Sequence, residues 1–187
     1  MATIARFRDF TIWLKADDRH AIAPSLVAKL YRAHARHKVA RRFTAVRMTT
    51  GSKPLIRGYS EGLRLFLSYS AAESLGGAID HHITRWTIID HSLTAALRQL
   101  SKPLAKRTDV LKGSAHKSLI AFLDHEHDNV RFVATALRHL VAHGDFTPTG
   151  AGVMTKAGAE SIRCLADRLL EESDRQFAGW FARIAGE

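Results

Sequence analysis

Residues 130–144 read VRFVATALRHLVAHG, and their apolar positions recur at steps of three and four residues. That period places the apolar side chains on one face of an α-helix, which can then pack on a core. Glycine is the usual residue just beyond a helix C-terminus, and Gly144 follows soon after the last apolar position. The stretch predicts a helix that ends at His143 and Gly144. Its apolar face consists of Val130, Phe132, Val133, Ala136, Leu137, Leu140 and Val141.

The same helical period recurs on both sides of this stretch. Amphipathic segments begin near residues 2, 24, 86, 114 and 159, and residues 59–79 are apolar nearly all round. A helix that is apolar on every side lies at the centre of a fold. Strand-like alternation of any length is absent from the sequence. We therefore predict an all-α fold, a bundle of about five to seven helices.

The composition is that of one folded domain. The 187 residues suffice for a single buried core, and 46% of them are hydrophobic and 25% charged. Cys164 is the one cysteine, which excludes an internal disulfide, and its helical setting favours a buried thiol over a catalytic one. No basic segment followed by an apolar one precedes the first helix, and the most apolar run contains charges. We therefore expect a cytoplasmic protein that does not associate with membranes.

Positive charge is concentrated in the first third of the chain. The net charge is +10, and residues 1–57 hold thirteen Lys and Arg against three acidic residues, whereas residues 58–187 hold fifteen of each. Such a field suits a polyanionic partner, and nucleic acid fits this chain better than an anionic membrane surface does. We expect a basic helical N-terminal arm or extension at 1–57 and a helical bundle at 58–187, within one compact domain overall.

The second helix combines an apolar face with an uninterrupted basic one. Pro24 suits its first turn, and no acidic residue occurs between Asp18 and Glu61. A stripe of cations can follow an RNA backbone, although a merely solvated helix face has the same pattern. The expected apolar face consists of Leu26, Val27, Leu30, Tyr31, Val39, Phe43 and Val46. The candidate RNA-binding residues are Lys29, Arg32, Arg36, Arg41 and Arg42.

One spacing in the chain has a chemical meaning, an arginine followed after four to six residues by a histidine. It joins Arg32 to His37, Arg85 to His91, and Arg138 to His143. In the third pair the residue after the arginine is polar, His139, whereas the other two pairs have an alanine and a tryptophan there. The third pair also lies on an amphipathic helix that closes on its histidine. These features single out Arg138, His139 and His143.

With these three residues the chain resembles the HEPN superfamily, whose signature is an arginine, a polar residue and a histidine a turn or so further on. The resemblance spans residues 60–184. It implies a metal-independent endoribonuclease, a toxin or defence effector, that needs no cofactor and cleaves RNA to a 2′,3′-cyclic phosphate and a 5′-hydroxyl. It also implies a homodimer in which two motifs face one cleft, and a cognate antitoxin or nucleotidyltransferase as partner.

Elementary chemistry supports those residue types. Cleavage of RNA by its own 2′-hydroxyl needs a group that changes protonation near neutral pH, as histidine does, and a fixed cation beside the phosphorane. In this scheme Arg138 stabilises the phosphorane, His143 transfers protons and His139 positions them. On an ideal helix Arg138 and His143 differ by about 140° and about 7.5 Å of rise. Arg138 therefore needs its length, or a second chain, to meet a phosphate at His143.

Other interpretations of the same residues stay open. Glu73 needs a partner such as Arg138 or a histidine if it is buried, and none if it faces solvent. Arg138 could instead pair with a surface carboxylate while His143 only caps the helix. The histidines near residues 81 and 125 lack the spacing of a metal site, so we expect no metal. The alternative functions are a non-catalytic module that binds nucleic acid or a partner protein through the basic face, and a subunit that serves assembly alone.

Overall fold

The structure, a computed structural model, describes residues 4–16, 22–106 and 111–186. Over these ranges the chain is a bundle of seven α-helices without a strand, which confirms the predicted all-α fold. No helix in these ranges is both long and apolar enough to cross a membrane. The helices are α1 (Phe7–Ala16), α2 (Pro24–Arg42), α3 (Lys53–Ala78), α4 (His91–Ser101), α5 (Gly113–Leu123), α6 (Arg131–Ala142) and α7 (Lys156–Ala185).

The two longest helices, α3 and α7, pack along each other and form the axis of the bundle. α2 and α6 pack on α3, while α4 packs on α7 and α5 packs on α6. Two glycines on α3 let the segment that follows α6 lie directly against the backbone of α3. A Cβ atom on Gly62 would collide with the Phe146 ring, and a Cβ atom on Gly58 would collide with Pro148. The C-terminal end of α6 is thereby held against α3.

Buried apolar side chains form two main clusters. The larger lies among α3, α4, α5, α6 and α7 and includes Leu137 and Leu140. The smaller joins α1 and α2 to the ends of α3 and α7 and is rich in aromatic rings. In it, the fully buried Phe10 ring lies 5.8 Å from Phe177 and 5.9 Å from Phe181, both edge-on. Full burial of such a ring contributes about 2 to 3 kcal/mol, which ties α1 to the bundle.

The N-terminal third of the chain is part of this packing. The division that the charge distribution suggests, between residues 57 and 58, falls inside α3. α2 contributes Leu30 to the smaller cluster, and α1 contributes Phe7 and Phe10. The described residues before α3 therefore share a core with the end of α7.

The buried face of α2 differs from the predicted one. Tyr31 is 45% exposed and Val39 is 56% exposed, so the prediction is wrong at both positions. Ala40 lies in a small buried cluster with Ala71 of α3 and Leu170 of α7, so part of the buried face of α2 is made of small side chains. The exposed side chains of Tyr31 and Val39 consequently form apolar surface among the cationic side chains of α2. Leu30 is buried as predicted, and the other buried residues of α2 are Ala33, His37 and Ala40.

Candidate functional site

The C-terminal end of α6 closes as the sequence predicts. His143 is the residue that follows the helix, and its backbone N–H donates to the carbonyl of His139 at 3.1 Å. Gly144 has a φ of +74°, the left-handed conformation that glycine adopts without strain. The N–H groups of Gly144 and Asp145 donate to the carbonyls of Val141 at 3.2 Å and Leu140 at 2.9 Å. These bonds satisfy the last carbonyls of the helix and fix where the His143 side chain leaves it.

His139 and His143 form a pair at this end. Their ring centroids are 4.3 Å apart, with 51° between the ring planes, as residues one helical turn apart allow. His143 is exposed, whereas His139 is partly buried. The pair can therefore meet a phosphate that approaches from solvent.

Arg138 is held at the surface by two residues of α3. Its Nη2 donates to Oε2 of Glu73 at 3.2 Å, and its guanidinium lies 5.6 Å from the centroid of the Tyr69 ring. Arg138 and Glu73 are both about a third exposed, at 33% and 38%. Of the partners considered for Glu73, the structure selects Arg138, in a pair that solvent screens.

The Tyr69 ring is itself fixed by a hydrogen bond across the α3–α6 contact. The hydroxyls of Tyr69 and Thr135 lie 3.2 Å apart. The single hydroxyl proton of Thr135 goes to the carbonyl of Arg131 at 3.1 Å. Tyr69 is therefore the donor to Thr135. This bond orients the ring over which the Arg138 guanidinium lies.

Arg138 and His143 do not meet within one chain. Among the described residues no hydrogen bond or ion pair joins them, and the polar contact of Arg138 is the one with Glu73. The reason is the helix itself, because positions five apart leave it about 140° from each other. A phosphate that both side chains contact requires either a new rotamer of Arg138 or a second chain.

An apolar pocket of about 430 Å³ opens at the C-terminal end of α6, at Val141 and Gly144. The sequence did not predict it, because its walls come from three separate parts of the chain. The exposed fractions of Tyr59 and Met48 are 36% and 40%, so the pocket is open to solvent. A weak sequence signal was the spacing of Gly58 and Gly62 on an otherwise bulky helix. The pocket is lined by Val46, Met48, Tyr59, Leu63, Val141, Gly144 and Phe146.

Four of the five candidate RNA-binding residues project from α2 into solvent: Lys29, Arg32, Arg36 and Arg42. Arg41 is different. It is partly buried, and its Nη2 donates to Oδ2 of Asp174 on α7 at 3.0 Å. Arg41 therefore ties α2 to α7.

Asp174 is the centre of a polar cluster that no sequence motif indicated. It accepts the backbone N–H of Ala5 at 3.0 Å, and Nε2 of the buried His37 lies 3.2 Å from its Oδ1. Burial alone would raise the pKa of the Asp174 carboxyl, but the bonds from His37 and Ala5 and the charge of Arg41 hold it below its ordinary value. The cluster connects three parts of the fold: the segment that precedes α1, helix α2 and helix α7.

His34 lies on α2 one turn before Lys38. Its ring stacks on Phe7 with centroids 3.8 Å apart. Burial, followed by the charges of Lys38 and His37, lowers the pKa of His34 to about 4. The neutral ring is therefore the form that packs between α1 and α2.

The sequence reasoning also missed a fully buried carboxylate, that of Glu61 on α3. It is 2% exposed and accepts from Arg64 at 2.9 Å and from Arg163 of α7 at 2.8 Å. The Glu61 contacts raise the pKa of Arg163. Full pairing makes this a link between α3 and α7. The sequence signal for Glu61 was an acidic residue inside the apolar pattern of 59–79. Glu73 is a second acidic residue in that pattern, but it lies at the surface, 38% exposed.

Two further residues are excluded from acid, base or nucleophilic roles by their surroundings. Burial, followed by the charges of Glu160 and Asp167, raises the pKa of the Cys164 thiol, which disfavours the reactive thiolate. Arg131 is buried, and its Nε donates to the carbonyl of Trp86 at 3.1 Å, so its guanidinium has no access to a substrate in solvent. Both residues serve packing between elements.

Comparison of the chain with protein-family models, with curated proteins and with solved structures finds no match in any of the three. Within residues 4–16, 22–106 and 111–186, no group of three or more His, Cys, Asp or Glu side chains is placed to hold a metal ion. The geometry at the end of α6 is thus the basis for a functional proposal.

Proposed function

We propose that this protein is a metal-independent endoribonuclease of the HEPN type, with its catalytic residues at the C-terminal end of α6. The observation that carries the proposal is the pair of the partly buried His139 and the exposed His143, whose ring centroids are 4.3 Å apart, on the helix end where Arg138 directly precedes His139. This combination offers proton transfer and a fixed positive charge on one helix end, open to a polyanion.

The reaction follows from these groups. The 2′-hydroxyl of RNA attacks the adjacent phosphorus, and the bond to the 5′-oxygen of the next nucleotide breaks. The products are a 2′,3′-cyclic phosphate and a 5′-hydroxyl. His143 transfers the protons that this exchange requires, and His139 positions the His143 ring. Arg138 stabilises the charge that develops on the phosphorane oxygens.

Glu73 is a positioning residue in this scheme. The one hydrogen bond that it accepts from Arg138 uses a single N–H of the guanidinium. A guanidinium has five N–H donors, so four remain for phosphate oxygens. Glu73 holds the charge of Arg138 at the surface until substrate binds.

A homodimer brings the two halves of the site together. Arg138 and His143 leave α6 about 140° apart, so one phosphate does not easily meet both within a chain. A two-fold axis near the end of α6 sets Arg138 of one protomer beside the second copy of the histidine pair. We propose a dimer of this kind as the active form.

The basic face of α2 supplies the path for RNA. Lys29, Arg32, Arg36 and Arg42 are exposed along it. The chain that follows α2 reaches the pocket at the α6 end through Val46 and Met48. Phosphate contacts of this kind hold RNA without much preference for sequence.

The primary test compares Arg138→Ala and His143→Ala with the wild-type protein on a labelled single-stranded RNA. We expect each variant to lose cleavage by a factor of about 10² to 10⁴, because each removes a group that acts in the transition state. His91→Ala is the matched control, an exposed histidine that belongs to another Arg–His spacing. Cleavage that persists undiminished in both variants contradicts the assignment. Wild-type cleavage should survive EDTA and leave a cyclic phosphate end.

The second candidate is a non-catalytic module that binds RNA through α2. The four exposed cations beside the exposed Tyr31 favour it. It predicts salt-sensitive RNA binding without cleavage. That binding should survive Arg138→Ala and fall when Arg32, Arg36 and Arg42 are neutralised.

A further inference from the structure

A groove of about 630 Å³ runs along the solvent-facing side of α2. Its lining residues all belong to α2 or to Phe43, the residue directly after that helix. They recur at steps of three and four residues from Tyr31 to Phe43, so the groove follows one helix face for about 18 Å. Tyr31 is 45% exposed and Val39 is 56% exposed, although both are apolar enough to pack. Apolar side chains grouped on an accessible face mark a surface where a ligand packs.

Two aromatic contacts hold the wall of the groove in place. The Tyr31 ring stands edge-on to Phe7 of α1, with centroids 5.4 Å apart and 84° between the planes. The His34 ring also lines the groove and stacks on the same Phe7, with centroids 3.8 Å apart. Phe7 is buried in the smaller core cluster, so both rings rest on a fixed support. Tyr31 therefore presents a rigid, half-exposed aromatic surface to solvent.

The charged side chains that line the groove itself are cations, Lys38 and Arg42. They lie one turn apart on α2, with about 6 Å of rise between them. Among the residues that the structure describes, no carboxylate lines the groove, and neither cation has an ion pair or a hydrogen bond. His34 is neutral near pH 7, because burial and then the charges of Lys38 and His37 lower its pKa to about 4. The groove is therefore positive, and a matching ligand is anionic.

The charge pattern of α2 also decides between occupants. A second copy of α2 on this face would set cations against cations, which is unfavourable. The cations continue along the helix beyond the groove at Lys29, Arg32 and Arg36, which are exposed. Aromatic residues lie at both ends of the groove, Tyr31 and Phe43. A ligand with a negative charge and a flat apolar group in every unit matches both features, and a single strand of nucleic acid is such a ligand.

We propose that this groove binds an unpaired stretch of RNA, with one base stacked on Tyr31 and backbone phosphates at Lys38 and Arg42. The proposal rests on the proposed function only in taking RNA as the ligand, and it involves no residue of α6. A base within a duplex is stacked on its neighbours and has no free face for Tyr31. Stacking tolerates every base, so the groove selects unpaired RNA with little preference for sequence.

The experiment measures RNA affinity in the full chain carrying His143→Ala, so that cleavage does not consume the probe. Fluorescence anisotropy follows a labelled ten-nucleotide oligouridylate, an abasic strand of the same length, and the duplex of oligouridylate with oligoadenylate. On this background Tyr31→Ala should weaken oligouridylate binding by about 5- to 100-fold, the range that loss of one base–aromatic stack produces. Binding of the abasic strand and of the duplex should change less than about twofold, because neither offers an unpaired base. Tyr31→Phe keeps the ring and should bind as the parent does.

The phosphate contacts give a different result. Lys38→Gln and Arg42→Gln should weaken binding of oligouridylate and of the abasic strand alike, and each should reduce the slope of log K against log salt by about one. Val39→Asp adds a carboxylate to the groove at an exposed position and should weaken binding of both strands without unfolding the protein. Circular dichroism checks each variant, and Val39→Asp tests the groove independently if Tyr31→Ala loses helix. Ile89→Ala is the control, since Ile89 is an exposed apolar residue two positions before α4, and it should bind as the parent does.

The outcomes separate this proposal from the proposed function. Unchanged oligouridylate affinity in folded Tyr31→Ala, or an equal loss on the abasic strand, overturns the base contact. Unchanged affinity in Lys38→Gln, Arg42→Gln and Val39→Asp overturns the groove as an RNA site and favours an acidic protein as its occupant. If the wild-type protein fails to cleave but Tyr31→Ala still loses oligouridylate binding, the endoribonuclease proposal fails and the groove stands. If Arg138→Ala abolishes cleavage while Tyr31→Ala binds normally, the groove fails and the endoribonuclease proposal stands.

Discussion

Two helices carry the same arginine–histidine spacing, but a different member of the pair packs against the bundle in each. In α2, Arg32 is exposed, while His37 is 1% exposed and lies 3.2 Å from Asp174. In α6, Arg138 rests against α3 and His143 is exposed. Residues five apart differ by about 140° on a helix, so one member tends to face the bundle when the other faces solvent.

The comparison shows that spacing finds candidates and burial decides between them. A histidine that transfers protons to RNA must be reachable from solvent, which His143 is and His37 is not. The third match fails differently, because Arg85 lies in the 3₁₀ turn Ile83–Arg85 and His91 begins α4, so no single helix holds both. On this criterion α6 is the helix whose pair suits catalysis.

The largest expected effects come from replacing each of the two histidines, His143 and His37, by alanine in separate variants. His143→Ala should lower cleavage by about 10² to 10⁴ and leave the urea midpoint unchanged. His37→Ala should leave cleavage intact and lower the free energy of unfolding by about 2 to 3 kcal/mol, since it empties a buried site beside Asp174. Cleavage assays and urea titrations of both variants check this. Cleavage loss in His37→Ala at full stability would break the distinction.

Asp174 lies beside His37 and Glu73 lies beside Arg138. We expect replacement of Asp174 to affect stability and replacement of Glu73 to affect cleavage. Asp174→Ala removes the carboxylate 3.2 Å from the buried His37 and leaves the N–H of Ala5 without its acceptor, and it should lower the free energy of unfolding by about 3 kcal/mol, with cleavage unaffected in the folded protein. Glu73→Gln should leave stability within about 0.5 kcal/mol because its pair is solvent-exposed.

Glu73→Gln should instead lower kcat by about tenfold through loss of Arg138 positioning. Single-turnover cleavage beside a urea titration measures both effects. Equal stability losses in the Glu73 and Asp174 variants would show that the α6 pair is structural too.

The cations of α2 offer a further contrast. Replacing Arg32, Arg36 and Arg42 by Gln should weaken RNA binding by about 10- to 100-fold and reduce the slope of log K against log salt by about three. Arg41→Gln should change that slope little, because Arg41 is committed to Asp174. Filter binding at several salt concentrations gives the slopes. An Arg41 effect as large as that of its neighbours would assign it to RNA.

The last contrast concerns pH. His34 has a pKa lowered to about 4, so its packing stabilises the fold fully above the ordinary value of 6.5 and is lost as pH falls from 6.5 toward 4. The pKa of Asp174 is also lowered, so its contribution is present above 3.8 and is lost below that pH. Urea midpoints should therefore decline between pH 6.5 and 4. His34→Gln should flatten that decline, and an unchanged slope would count against the buried neutral ring.

The helices and their ends were open to prediction because their determinants are local. The apolar period of α6 and the glycine after it predict both the helix and its end at His143. The pairing of Glu73 with Arg138 was one of several options, and packing chose it. The face of α2 was mispredicted at Tyr31 and Val39, because packing buries Ala33, His37 and Ala40 there and leaves those two apolar side chains exposed.

By itself, the sequence determined the all-α class, the position of α6, and the arginine and histidines that make the endoribonuclease proposal possible. The apolar period of a helix and its capping residues depend on only a few neighbouring residues, so both can be predicted from the sequence. Only the tertiary structure decided which histidine is accessible, which carboxylate is buried, and that segments from three parts of the chain form a pocket at the C-terminal end of α6. Those outcomes depend on contacts between residues far apart in sequence, where close packing selects one arrangement among many compatible with the pattern.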